Sequence, residues 1–174
     1  MNKREEIRQQ RRMGGVMQAL AWLVFLALGL FFFSDVLDRQ HNPNRTLQSG
    51  IAEDGRREVV LQRNRMGHYV TAGRIDGEPV TFLLDTGATG VAVPGALAAR
   101  LGLRRGVPLA TQTANGMSTS YATRLDSVSV GSIELRGVAA TIAPGMDMDE
   151  VLLGMSFLKH IEFTQRGDTL ILRQ

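Results

Sequence analysis

Residues 82–89 of the chain read Phe82-Leu83-Leu84-Asp85-Thr86-Gly87-Ala88-Thr89. The apolar run 80–84 before Asp85 is typical of a strand that is buried on both faces. An aspartate at the end of such a strand costs free energy unless it is paired or used. Gly87 permits a sharp turn without a side chain in the way of a ligand, and Thr86 and Thr89 carry hydroxyls that hydrogen-bond locally. This stretch therefore predicts a functional loop at a strand end.

The stretch Leu83–Thr89 resembles the active-site loop of aspartic proteases. The short chain resembles the single-lobe, retropepsin-like branch of those enzymes. The resemblance implies that Asp85 is the catalytic carboxylate and that Thr86 and Gly87 complete the catalytic motif. It also implies that Ala88 and Thr89 contact the substrate.

Short strands separated by turn signals follow one another from Val59 to the C-terminus. We predict strands over 58–62, 69–75, 79–84, 90–93, 109–114, 117–130, 133–142 and 151–153, and a hairpin over 161–172. Helical turns are predicted over 95–101 and 155–159. Together these elements predict an all-β domain over 59–174, closed or partly closed into a barrel. Their order resembles the retropepsin-like lobe, in which Leu152-Leu153-Gly154 matches two apolar residues and a glycine beside the catalytic loop.

Asn115-Gly116 is a strong hairpin signal at the position where the retropepsin-like flap belongs. The resemblance implies that Asn115, Gly116 and Met117 contact the substrate. The tip lacks the glycine-rich sequence of retroviral flaps, and Tyr121 lies further along the arm than the tyrosine of pepsin-like flaps. Residues 168–173 match either the strand that joins two retroviral protease subunits or an ordinary hairpin strand.

Residues 13–33 carry no charged side chain and are long enough to cross a bilayer as a helix. A cleaved signal peptide is the alternative, although its apolar region is normally shorter and ends in small residues. Five basic and two acidic side chains lie in residues 1–12, which accounts for the net charge of +3. The positive-inside rule predicts a cytoplasmic basic tail over 1–12 and a domain outside the cytoplasm, periplasmic if the cell has two membranes. The polar segment 34–58 predicts a linker.

The remaining composition excludes several classes of function. The chain has no cysteine, so disulfides and thiol catalysis are excluded. The charge outside the basic tail is balanced, with no basic stripe for nucleic acid. His41, His68 and His160 lack metal-ligand spacing, and Ser156 is not followed by the glycine of a nucleophile elbow. The resemblance implies neither a cofactor nor a metal.

Aspartic proteases activate water between two carboxylates that share a proton. The chain contains Asp-Thr-Gly only once, at Asp85. A homodimer, in which each copy supplies one carboxylate, is therefore expected from the chemistry. The expected function is a membrane-anchored aspartic endopeptidase that acts on polypeptides. The alternative is a non-hydrolytic dimeric module that binds peptides or acts as a scaffold on the same fold.

Overall fold

The computed structural model describes residues 3–113 and 116–174 and divides the chain into two units, Met1–Arg39 and Gln40–Gln174. Helix α1 (Lys3–His41) forms most of the first unit. Its portion Met13–His41 has a mean hydropathy of 2.3 over its most apolar window, and none of that window is buried. The helix is long and apolar enough to cross a membrane, and a signal sequence has the same properties. It continues beyond the predicted end at Phe33.

Strands and two short helices make up the second unit. The strands are β1 (Gln48–Ile51), β2 (Arg57–Gln62), β3 (Val70–Ile75), β4 (Glu78–Leu84), β5 (Val91–Pro94), β6 (Pro108–Thr113), β7 (Gly116–Val130), β8 (Ile133–Ala143), β9 (Val151–Leu153), β10 (Glu162–Arg166) and β11 (Thr169–Arg173). The helices are α2 (Gly95–Arg100) and α3 (Met155–Leu158). Every strand predicted from Val59 onward is present within one or two residues of its predicted bounds.

The larger sheet closes on itself. Its strand order is β3-β4-β9-β5-β8-β7-β6, and β3 also pairs with β7 through Arg74 and Ile75. The β3–β4 hairpin turns at Asp76-Gly77, both at positive φ as a primed turn requires. Asp76 Oδ1 also accepts a 2.7 Å hydrogen bond from Ser127 N, which fixes the turn against β7. The prediction of a closed all-β barrel is confirmed.

The smaller sheet has the order β1-β2-β11-β10. Strand β11 is paired on both sides within its own chain, with Ile171 opposite Thr164 of β10 and opposite Val60 of β2. Its buried side chains Leu170 and Leu172 pack against the barrel core. The sequence leaves residues 168–173 as either a subunit-joining strand or a hairpin strand, and the structure makes them the inner strand of a hairpin.

The segment 34–58 contains ordered elements where the sequence predicts a linker. Helix α1 ends at His41, β1 lies at 48–51, and Asn44 forms a parallel bridge with Thr71. The buried Asn44 side chain donates to Gln62 O (2.9 Å) and Val70 O (2.7 Å) and accepts from Gln62 N (2.7 Å). Because these hydrogen bonds satisfy a buried amide, a polar sequence without periodicity still packs on the barrel.

Candidate active site

The Asp85 loop begins where β4 runs beside β9. The two strands are parallel, with Leu84 opposite Leu153, and the Asp85 amide donates to Leu153 O at 3.3 Å. Phe82 and Leu153 are both fully buried, so the end of β4 is anchored in the core. The side chain of Asp85 is half-buried at this end. The fold thus places a carboxylate at the boundary between core and surface.

A tight turn holds the carboxylate of Asp85. One carboxylate oxygen, Oδ1, accepts a 2.8 Å hydrogen bond from Gly87 N, and the Asp85 carbonyl accepts from Ala88 N at 3.2 Å. The first bond is an Asx turn, in which the side chain replaces a backbone acceptor. Thr86, Gly87 and Thr89 are exposed, whereas Ala88 is half-buried. The loop therefore presents its hydroxyls and its glycine outward, beside a carboxylate with an orientation fixed by the backbone.

Gly154 packs directly beneath this loop. A Cβ built on Gly154 would lie 2.3 Å from Gly90 O and 2.6 Å from Ala88 O, and real Cβ atoms essentially never come this close to another atom. The following amide, that of Met155, donates to Ala88 O at 2.9 Å. The two apolar residues of β9 and the glycine after them thus support the Asp85 loop from the chain's own C-terminal half. Glycine is required at 154 by space, since its φ of −94° is open to any residue.

Ser156 is a site residue that sequence reasoning missed. Its hydroxyl donates to Ala139 O at 2.8 Å and accepts from Val91 N at 2.9 Å, so it links β8 to the start of β5. Ser156 lies in the helical turn predicted over 155–159, which the structure contains as α3. Its two long-range backbone partners come from other strands, and no local signal in the sequence indicates them.

Known proteins resemble this chain in sequence and in fold. Residues 71–160 match the model of the "gag-polyprotein putative aspartyl protease" family. A retropepsin-like aspartic protease from Rickettsia conorii has a similar structure, with 27% identity and a TM-score of 0.55 over 74% of this chain and 94% of that chain. The chain belongs to the retropepsin-like aspartic protease family.

Two curated relatives are uncharacterized bacterial proteins. One, from a Sinorhizobium species, is 38% identical over 124 residues, which are 69% of this chain and 53% of the relative. The other, from Rickettsia prowazekii, is 30% identical over 119 residues, 66% of this chain and 51% of the relative. The chain thus spans about half the length of the curated relatives it matches.

The β6–β7 hairpin forms where the sequence predicts a flap. Thr113 pairs with Gly116 at its narrow end, and Gly116 has a positive φ of 106°. Met117, the second residue of β7, is 71% exposed. Asn115, which the sequence assigns to substrate contact, lies outside the described residues. The predicted site residues therefore fall into two groups, Asp85–Thr89 on one loop and Gly116 with Met117 on the flap hairpin.

Tyr121 lies further down the flap, where β6 begins. It pairs with Pro108, and the guanidinium of Arg105 stands over its ring at 5.2 Å from the centroid. This distance suits a cation–π contact, which steadies the base of the hairpin. Tyr121 therefore lies at the base of the β6–β7 hairpin, away from its tip. This position agrees with the expectation from the sequence that Tyr121 lies further along the arm than the tyrosine of pepsin-like flaps.

Proposed function

We propose that this retropepsin-like protease is an active endopeptidase that hydrolyses peptide bonds with a dyad made of Asp85 from two copies. The main support is the placement of Asp85, half-buried at the end of β4 on a loop that hydrogen bonds join to Leu153 and Met155. A carboxylate held in this way is pre-oriented before substrate arrives. Because Asp-Thr-Gly occurs once in the sequence, the second carboxylate of the dyad comes from another copy of the chain.

The proposed reaction uses the shared proton of the dyad. Two carboxylates about 3 Å apart do not both ionise readily, so the pair holds one proton. The ionised carboxylate takes a proton from water as the water oxygen bonds to the peptide carbonyl carbon. The protonated carboxyl gives its proton to the carbonyl oxygen. Collapse of the resulting diol breaks the C–N bond: one diol hydroxyl gives its proton to the ionised carboxylate as the carbonyl re-forms, and the nitrogen leaves as an amine that has taken the other proton of the dyad.

The neighbouring residues take positioning and binding roles in this proposal. The exposed hydroxyl of Thr86 braces the two loops against each other, and Gly87 leaves room for the substrate. Ala88 and Thr89 contact the substrate from below, and Asn115, Gly116 and Met117 contact it from the flap. The substrate binds as an extended polypeptide that adds strand pairing to the site.

We also propose that residues 13–33 anchor the protein in a membrane, with the N-terminus in the cytoplasm and the protease domain outside. The exposed apolar surface of α1 and the basic residues that precede residue 13 support this arrangement. Because the chain has no native cysteine, single cysteines at Asn2 and at Thr46 report the side of the membrane. In intact cells, a membrane-impermeant maleimide should label the second cysteine and not the first. The reverse pattern would overturn the orientation.

The test of hydrolysis compares two matched aspartate variants of the full-length chain in detergent micelles. Asp85→Asn keeps the shape of the side chain but removes the ionisable group. Asp168→Asn is the control, because Asp168 also precedes a threonine but lies in an exposed turn. Its 3.6 Å ion pair with Arg63 contributes little because both side chains are exposed. Each protein is incubated with a diverse peptide mixture from about pH 4 to 7.5, and mass spectrometry detects the products.

We expect wild type and Asp168→Asn to cut the same peptides and Asp85→Asn to lose about 10²- to 10⁴-fold in rate. Equal cleavage by Asp85→Asn would show that the activity has another source. Peptide capture by a wild-type dimer without cleavage at any pH would favour the binding module on the same fold.

A further inference from the structure

The middle of the sequence is uniformly basic. Residues 86–125 contain four arginines and no acidic side chain, although the charges outside the N-terminal tail are balanced overall. Three of the four, Arg104, Arg105 and Arg124, are exposed and form no ion pair with any residue that the structure describes. Several other arginines of the domain do pair with a carboxylate, and these are Arg56, Arg63, Arg136 and Arg173. Three exposed guanidinium groups are therefore available to a ligand.

These three arginines lie at the base of the β6–β7 hairpin, and we call them the flap-base arginines. Arg104 O accepts a 2.9 Å hydrogen bond from the Thr123 hydroxyl, and Arg124 is the next residue along β7. The guanidinium of Arg105 stands over the ring of Tyr121, which belongs to the same strand. The three charges are thus carried by two neighbouring segments of the chain.

Backbone hydrogen bonds hold the segment that carries Arg104 and Arg105. Gly106 N donates to Ala122 O at 2.7 Å, and Ala122 N donates to Val107 O at 2.9 Å. The hairpin therefore continues back beyond the first residue of β6. Because the backbone is already ordered, these arginines lose less conformational freedom on binding than arginines on a mobile loop.

Guanidinium groups at this place are suited to carboxylates. The planar fork of N–H donors matches the two oxygens of an Asp or Glu side chain. Arg105 keeps this capacity while it stands over Tyr121, because a guanidinium meets a ring with its face and donates from its edge. A single exposed ion pair contributes little to binding. Three guanidinium groups together therefore favour a ligand with several carboxylates.

The outer edge of β6 indicates that this ligand is a polypeptide. Strand β6 is the last strand of the larger sheet, and its described pairings are all to β7. Residues 108–110 are exposed along it. An extended chain can add to such an edge through its backbone while its acidic side chains reach the arginines. An anionic lipid surface offers the charges but has no backbone to pair.

The cluster has limits on both sides. Arg100, the fourth arginine, lines a groove together with Asp149, so an acid already lies near it. Asp126 ends the acid-free stretch, two residues beyond Arg124. Toward the flap tip, Gly116 lies five residues before Tyr121 on β7, which is about 17 Å in an antiparallel strand. An extended substrate therefore covers the distance from the tip to the cluster with about five residues.

We propose that the flap-base arginines bind acidic side chains of the polypeptide substrate, about five residues from the bond that is cut. This inference rests on the proposed function, in which the flap contacts the substrate. It names the class of substrate, polypeptides with an acidic segment beside the cleaved bond. Because this contact lies away from the dyad, it adds affinity without a change in the chemical step.

Peptide binding by full-length Asp85→Asn in nonionic detergent tests the contact without hydrolysis. The probes are two fluorescein-labelled peptides, one of alternating Glu and Thr and one of alternating Gln and Thr, compared by fluorescence anisotropy. We expect the Glu peptide to bind about tenfold more tightly, the combined effect of three exposed ion pairs. Replacing all three flap-base arginines by glutamine should remove this difference. Replacing them by glutamate should favour a peptide of alternating Lys and Thr instead.

The matched control removes three exposed arginines elsewhere in the domain, Arg65, Arg74 and Arg136. It changes the net charge by the same amount and should keep the preference for the Glu peptide. Arg105→Lys keeps the charge but loses the planar fork, so the preference should persist in weaker form. Thermal unfolding of every variant verifies that the barrel is intact.

Cut sites made by the protein with Asp85 intact give a second measurement. Among the products of a diverse peptide mixture, Asp and Glu should be enriched about five residues from the cuts. The triple glutamine variant should lose this enrichment. On a peptide that carries such an acidic segment, the variant should raise KM and leave kcat nearly unchanged, because the lost contact is made equally in the ground state and the transition state.

The outcomes separate this inference from the proposed function. Equal binding of the Glu and Gln peptides, or an equal loss of preference in the control variant, would overturn the role of the flap-base arginines, and Asp85-dependent cleavage would still stand. A preference that depends on these arginines, in a protein that cuts no peptide, would support the contact and remove the endopeptidase proposal. In nanodiscs, a preference that phosphatidylserine abolishes and phosphatidylcholine preserves would assign the arginines to lipid headgroups and overturn their role in substrate selection.

Discussion

Replacing Gly154 by alanine should displace the Asp85 loop, although the change adds a single methyl group. The added Cβ would lie 2.3 Å from Gly90 O and 2.6 Å from Ala88 O, and contacts under 3.0 Å are essentially unknown for real Cβ atoms. Relief of the shorter contact requires a shift of about 0.7 Å in backbone, the difference between 3.0 and 2.3 Å. The backbone at 154 is extended, so conformational strain of alanine contributes nothing to the effect.

The expected destabilisation has two sources. Overpacking of a rigid site costs about 1–3 kcal/mol. The 2.9 Å hydrogen bond from Met155 N to Ala88 O is weakened by the same shift, which adds about 1 kcal/mol. We therefore expect Gly154→Ala to lower the free energy of unfolding of the barrel by about 2–4 kcal/mol. Cleavage should fall by roughly a hundredfold if the loop is displaced by about 1 Å.

Gly90→Ala is the matched control, because Gly90 lies in the same loop and also has a negative φ. Its added Cβ would meet Ser156 Oγ at 3.5 Å, an ordinary van der Waals contact. Hydrogen exchange of the slowest amides of β4 and β9 measures the unfolding free energy of the barrel independently of α1. A Gly154→Ala protein within about 0.5 kcal/mol of Gly90→Ala would refute the close packing of β9 against the Asp85 loop.

Two further substitutions test hydrogen bonds that hold the domain together. Ser156→Ala should cost about 1–3 kcal/mol, because the Val91 amide loses its acceptor in a buried setting; Ser156→Thr keeps the hydroxyl and should recover most of this, as read from urea midpoints. Asn44→Ala should cost about 2–4 kcal/mol by leaving backbone groups of Gln62 and Val70 unpaired. The exposed neighbour Thr46→Ala should cost under about 0.5 kcal/mol, and equal midpoints for the two variants would contradict the role of Asn44.

The sequence predicts the barrel well because its signals are local. Apolar runs such as 80–84 fix strands, and Asp76-Gly77 fixes a turn that needs two residues at positive φ. The helical turn predicted over 95–101 is present as α2, and Pro94 is its N-cap. The Asp85 loop is predicted together with Gly154, because both motifs are short and contiguous in sequence. That they meet in space is an expectation of the family resemblance, and the β4–β9 pairing confirms it.

What the sequence misses depends on contacts between distant residues. The sequence places Asn44 in a polar linker, yet its side-chain amide donates hydrogen bonds to Gln62 O and Val70 O on two different strands. Nothing in the neighbourhood of Asn44 in the sequence indicates those partners, because backbone acceptors exist at every position. Ser156 is missed for the same reason. Polar side chains that satisfy remote backbone groups have no periodicity, so pattern reading assigns them to loops.

The hydrogen bonds that hold the Asp85 loop lie within one chain, whereas the proposed dyad needs two chains. Hydrogen bonds with Leu153, Gly87 and Met155 hold the Asp85 loop within one chain. We therefore expect a single copy to hold its own Asp85 loop in place before it meets another copy. Under the proposed function, dimerisation then adds the second carboxylate without refolding the first, and a membrane anchor raises the chance of that encounter by confining both copies to one surface. Activity should accordingly depend on the square of the chain concentration where monomers prevail, and linearly where dimers prevail.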